Sequence, residues 1–161
     1  MDIFETIVAK ASGISADSPL AGALSLRSDI LQLTENSHEA SLRPNHPGGL
    51  SHAERAGLAC RIAKRNNEET LARHYESLFS VGSHALADTD FEGGHDTRIK
   101  AILRHTDLVT LNPKDVKAED VSALKSAGLN DADIVRLSEL IAFIAYQIRV
   151  VTGLRLMAQV A

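Results

Sequence analysis

The stretch from Ser51 to Leu78, SHAERAGLACRIAKRNNEETLARHYESL, constrains the fold more than any other part of the chain. It opens with Ser51 and Glu54 at the spacing of a capping box, in which a hydroxyl and a carboxylate each satisfy an amide that a helix start leaves unpaired. Ala53, Ala56, Gly57, Ala59, Cys60 and Ala63 then make a thin helix that neighbours can approach closely, while Leu58 and Ile62 supply the larger apolar volume. Such a helix belongs near the centre of the molecule. Asn66 and Asn67 mark a turn, Asn66-x-x-Glu69 reads as a second capping box, and Leu71, His74, Tyr75 and Leu78 fall at i, i+3, i+4 and i+7 of the next helix. His74 therefore lies on its apolar stripe.

The flanking sequence is helical too. Asp2 to Lys10 reads as a short helix and Gly13 to Pro19 as a loop, so residues 1–19 form an N-terminal arm ahead of a single helical domain over 20–161. Leu20, Leu24, Leu31, Ile30 and Leu33 predict one long amphipathic helix from Leu20 to about Leu42, which the prolines and glycines of Arg43 to Gly49 terminate. Ser80 to Asp96 carries three glycines and no sustained period, the pattern of a long functional or mobile loop. Asp96 caps a helix that ends before Asn112-Pro113, a short helix from Ala118 to Ala127 stops at Gly128, and Asn130 caps a final helix that Gly153 ends. No segment alternates with period two, so the chain reads as all-α with about seven helices.

With 17 Lys and Arg against 21 Asp and Glu, a net charge of −4 and few aromatic residues, the chain offers neither a basic surface for a phosphate backbone nor a base-stacking platform, and no nucleic-acid partner is expected. The start, MDIFETIV, has no basic segment before an apolar run, and the run from Leu140 to Tyr146 is short of a bilayer span. A cytoplasmic protein without a membrane partner is the expectation. Cys60 is the only cysteine, which excludes an intrachain disulfide. The seven histidines show no metal-ligand spacing, and no glycine-rich phosphate loop is present, so neither a metal nor a cofactor is assigned.

Two motifs carry a resemblance that covers the chain from about Leu20 onward. GGLSHAERAGLACRIAKRN is similar to a Leu-Ser-x-x-Glu-Arg helix, and LVTLNPKDVKAEDVSALKSAGLNDADIVRLSELIAFIAYQIRVVTGL resembles a tail in which a proline loop, an AGL(S/N)D turn and a long helix with an Asn-Arg pair follow in order. Both likenesses are to the superfamily of alkylhydroperoxidase D-like proteins and carboxymuconolactone decarboxylases, and the tail resembles its peroxidase-related branch. The resemblance implies an alkylhydroperoxidase D-like helical fold that assembles into homo-oligomers. Redox members carry Cys-x-x-Cys-x-x-x-His. With His74 on the motif's histidine, Asn67 and Thr70 stand at the cysteine positions; a gap-free alignment puts Glu68, Leu71 and Tyr75 on the motif instead. Both thiols are missing either way, so thiol peroxidase activity is not expected. Ala56 replaces a glutamate frequent in the family, and Ile148-Arg149 stands where the Asn-Arg pair recurs.

The candidate site follows from these positions. His74 is either a general acid or base or a core histidine bonded to backbone, and Glu54 is its catalytic companion or simply half of the capping box. Asn67, Thr70, Tyr146 and Arg149 are candidates to bind substrate, with Gln147 beside them; a guanidinium on so apolar a helix calls for a carboxylate or a bound anion. Two functions remain open: cofactor-free acid/base chemistry on a small carbonyl, lactone or peroxide-like substrate, or a catalytically silent subunit. The apolar pattern from Leu140 to Val151 predicts self-association, with Ile148, Val151 and Leu154 as contacts, the alternative being that the long N-terminal helix and the arm before it wrap the second face within one chain.

Overall fold

The computed structural model of the chain describes residues 2–160, which contain helices and no strand. After a 3₁₀ turn at Ile3–Glu5 come α1 (Ile7–Ser12), α2 (Ala21–Ser25), α3 (Ser28–Leu42), α4 (His52–Arg65), α5 (Glu69–Glu76), α6 (Ser83–Ala87), α7 (Thr97–Leu111), a second 3₁₀ turn at Pro113–Asp115, α8 (Ala118–Ser126) and α9 (Asp131–Val160).

Helix α4 is the centre. Both arms of the Ser51/Glu54 capping box are formed, and Ala59, Cys60 and Ala63 are fully buried, as a helix of small residues among larger neighbours requires. It packs against α3, α5, α6, α7 and α9. The approach of α6 is so close that a Cβ on Gly57 would stand 2.6 Å from the Ser83 carbonyl oxygen. Two buried arginines on α4 tie down the irregular segments. Arg55 donates to the carbonyls of Ser41, Pro47 and Leu50, and Arg61 to those of Asp88, Thr89 and Phe91 and to the Asp107 carboxylate. Each guanidinium thereby satisfies several loop carbonyls that burial would otherwise leave costly.

Several elements depart from the sequence expectation. The long helix over Leu20 to Leu42 is two: the backbone leaves helical space at Arg27 (φ −120°, ψ 28°) beside exposed Leu26, and Leu20 and Leu24 pack instead onto Ile3 and Ile14. The segment 80–96 contains α6, whose Leu86 and Ala87 are buried; five residues are too few to display a period. Asn66 does not cap α5. Its side-chain amide donates to the Ile62 carbonyl at 2.8 Å and finishes α4, while Asn67 takes a left-handed φ of 56°, which asparagine tolerates. Gly153 does not end α9. The helix runs on because Arg155 bonds both Glu68 and the Ala11 carbonyl and Leu154 packs into both apolar clusters, which offsets the roughly 1 kcal/mol cost of an interior glycine.

The segment set apart as an arm lies against the body. Val8 and Ala11 of α1 belong to the main apolar cluster, α1 packs on α9, and Glu35 of α3 accepts from the Ile7 amide. Ile148 and Val151, expected at a subunit contact, are buried within this core. As a whole α9 is longer and more apolar than the run from Leu140 to Tyr146 suggested: an 18-residue window has mean hydropathy 1.5, enough by length and composition to cross a membrane, a test that core helices also pass.

Candidate functional site

Four polar side chains from three helices form a continuous hydrogen-bonded chain in the interior. Tyr75 of α5 is fully buried and its hydroxyl donates to Gln147 Oε1 on α9. The Gln147 amide nitrogen lies 3.4 Å from Nδ1 of His38 on α3, and His38 Nε2 lies 3.3 Å from Nε2 of His74 on α5. Gln147 and His38 are also sealed, at 0% and 1% exposure, whereas His74 is half-buried and brings the chain towards the surface. The rings pack as well: His38 stacks on Tyr75 at 6.0 Å between centroids, and Phe143 meets His38 edge-on at 6.2 Å.

The direction of these bonds assigns the tautomers. Tyr75 donates, so Gln147 turns its amide nitrogen to His38; Nδ1 of His38 accepts and its proton resides on Nε2. That proton points at Nε2 of His74, whose own proton is therefore on Nδ1. Among the described residues no group hydrogen-bonds His74 Nδ1, and it is not one of the sealed unpartnered atoms. Burial pushes the His38 imidazole down to about 4, with further lowering from His74 and Arg43 against a smaller opposing effect of the Gln147 hydrogen bond. Burial also lowers His74, helped by Arg43 and Lys10. Burial raises Tyr75, which keeps its proton. The site at neutral pH is thus a neutral, oriented chain that ends in an N–H donor.

The structure unites only part of the set named from sequence. His74 and Gln147 meet, and Tyr146 stands on the same seam, its hydroxyl 2.9 Å from Thr34, one turn before His38. Arg149 lies elsewhere. Two residues beyond Gln147 on a helix means about 200° around the axis, and its exposed guanidinium donates to the Ala145 carbonyl of its own helix at 3.2 Å. Glu54 is consumed by its cap and by an ion pair with Arg98 at 2.5 Å. Asn67 is exposed in the α4–α5 turn, where it lines a cleft with Lys64, Glu68 and Arg73, and Thr70 is half-buried in the first turn of α5. Cys60 is sealed, and burial pushes its thiol up to about 11.

His38 is the residue that sequence reasoning missed. Its signal was present: Leu31, Thr34, His38 and Leu42 are the buried residues of α3 and follow one another at helical spacing. Among the described residues no three His, Cys, Asp or Glu side chains converge, and the histidine pair supplies two nitrogens where catalytic zinc sites use three protein ligands. The chain matches no known family model, and no curated protein sequence matches it.

Proposed function

We propose that the chain is a cofactor-free acid/base enzyme of the alkylhydroperoxidase D-like and carboxymuconolactone decarboxylase type, without the redox dithiol, acting on a small carbonyl, lactone or peroxide-like substrate at His74. The observation that supports this is the Tyr75–Gln147–His38–His74 chain. Buried polar networks are costly unless fully satisfied, and this one ends on a half-buried imidazole. With Nδ1 protonated, His74 acts as a neutral electrophile or acid, donating to a substrate oxygen as charge develops there. The Nε2–H of His38 holds the His74 ring through its Nε2 and so fixes the transferable proton on Nδ1, where exchange with solvent on the half-buried side restores it after each transfer. Tyr146 is the polar side chain beside this seam that suits a substrate contact; Glu54 and Arg149 have no part in it.

The test is turnover of a panel of small lactones, activated carbonyl compounds and alkyl hydroperoxides by the full chain. Activity on one class should fall by about 10²-fold or more in His74→Gln, with melting unchanged. A second reading, a catalytically silent subunit, is favoured by the position of the clefts: the one of about 730 Å³ between α4 and α7 and that of about 500 Å³ near α6 are lined by residues other than His74. Wild-type protein inert towards the whole panel would establish that reading.

Self-association belongs to the same proposal. With Ile148 and Val151 committed to the core, the apolar surface left for a second copy includes Ile30 and Leu33 of α3, 46% and 60% exposed, beside Tyr146 of α9. Sedimentation should show a species larger than the 17.3 kDa chain, and Leu33→Glu should reduce it to monomer.

A further inference from the structure

On α7 three buried side-chain atoms have no hydrogen-bond partner among the described residues: His105 Nδ1, Thr106 Oγ1 and Thr110 Oγ1. An unpaired buried polar atom costs about 1–3 kcal/mol, and a helical hydroxyl has a ready remedy in the carbonyl four residues earlier. Elsewhere this chain uses it: Thr34, Ser37, Ser122 and Ser138 each donate to that carbonyl. Thr106 and Thr110 do not.

His105, 5% exposed, and Thr110 both line a groove of about 280 Å³ between α7 and α9. Val109, Pro113, Ile141 and Ile148 supply apolar walls, and Arg149 completes the lining. Among the described residues no acidic side chain lines it. Arg149 has no carboxylate within ion-pair distance among the described residues, its one bond being to the Ala145 carbonyl. The groove therefore combines an unpaired cation, two enclosed groups able to donate, and an apolar wall. Its volume lies just under the roughly 300 Å³ at which sites for drug-sized ligands begin, so the occupant is small.

We propose that this groove binds a small organic acid, its carboxylate on Arg149 with His105 and Thr110 as further donors, and its ring or branched apolar body against Ile141 and Ile148. Anion recognition by a guanidinium with neutral donors in a partly enclosed site follows ordinary charge-assisted hydrogen bonding. The site is distinct from the histidine chain, because Gln147 and Arg149 face opposite sides of α9, and it stands whether or not His74 is catalytic.

The experiment is a heteronuclear NMR titration of the full chain with benzoate and isovalerate, and with neutral benzamide for comparison. Saturable shifts at millimolar acid should cluster on α7 and α9 around His105, Thr110, Ala142 and Arg149. Arg149→Gln should weaken benzoate by about tenfold and leave benzamide unaffected. Ala142→Phe, at an exposed position on the groove lining, should abolish binding of both while the amide spectrum and melting temperature stay as in wild type. No saturable shift with either acid, shifts scattered over the surface, or binding that survives Ala142→Phe would overturn the proposal. Equal weakening of benzoate and benzamide by Arg149→Gln would overturn the carboxylate assignment.

Discussion

His38 and His74 meet through their Nε2 atoms at 3.3 Å, and the sealed member of the pair, whose pKa lies at about 4, is the one that resists protonation more strongly. An unfolded histidine titrates near 6.5. Between those values the unfolded chain binds the proton that the folded chain refuses, so stability rises with pH across that interval. Stability contributed by neutral His38 is complete above about pH 6.5 and is lost as pH falls towards 4, a change of about 3 kcal/mol. The lowered pKa of His74 and of His105 adds in the same direction. Denaturant melts at a series of pH values should show this slope, and His38→Gln should flatten it; an equally steep slope in that variant would assign the effect to other groups.

Thiol chemistry should be absent. Cys60 is 0% exposed, burial raises its thiol to about 11, and no second cysteine exists to resolve a sulfenic acid. Assayed with a dithiol donor, the protein should not turn over alkyl hydroperoxides by a thiol route, and any peroxide turnover at His74 should be unchanged in Cys60→Ser. Turnover that Cys60→Ser abolishes would show that the thiol is reachable after all.

Two glycine-to-alanine changes should have opposite signs. At Gly57 the new methyl meets the Ser83 carbonyl oxygen at 2.6 Å, and Ser83 is held in place by its own bond to Ala53, so α6 must be displaced at a cost of about 1–3 kcal/mol. At Gly153 nothing lies within 4 Å, and alanine should gain up to about 1 kcal/mol from helix propensity. Urea unfolding of the two variants side by side measures both.

Removing the Arg155 guanidinium should be among the more damaging single changes outside α4. It holds Glu68, a 95%-buried carboxylate by side-chain exposure of 5%, at 2.6 and 2.9 Å, and it also donates to the Ala11 carbonyl. Because Arg155 is itself one-third exposed, we expect about 2 kcal/mol for Arg155→Ala, below the range for wholly buried pairs. Glu68→Gln, which keeps an acceptor, should cost less. Hydrogen exchange should show α1 losing protection in Arg155→Ala before α4 does.

Local signals gave most of the helices and few of the long-range polar contacts. The caps at Ser51, Asp96 and Asn130 and the left-handed stop at Gly128 depend on residues within one turn, and each stands where the sequence puts it. Nothing local marks Arg55 and Arg61 of α4 as buried, because the carbonyls that hold them come from other segments that fold over them. Arg149 drew attention through its apolar neighbours, yet α9 leaves a strip uncovered and the guanidinium lies along it. The burial of His38 was legible in the spacing of α3, but its role was not, because its partners come from α5 and α9, 36 and 109 residues away in sequence. A hydrogen bond that far along the chain leaves no periodic trace.

The bond between Arg155 and the Ala11 carbonyl spans 144 residues of sequence. Loop closure of that length is entropically expensive and slow relative to local helix formation. During synthesis from the N-terminus, α1 can coil early but has no α9 to dock against until Arg155 has been polymerised and has cleared the ribosome. Val8 and Ala11, both inside the finished core, can meet α3 early but wait for their α9 neighbours until Arg155 has emerged, and in that interval α1 is a segment on which a chaperone of the emerging polypeptide can act.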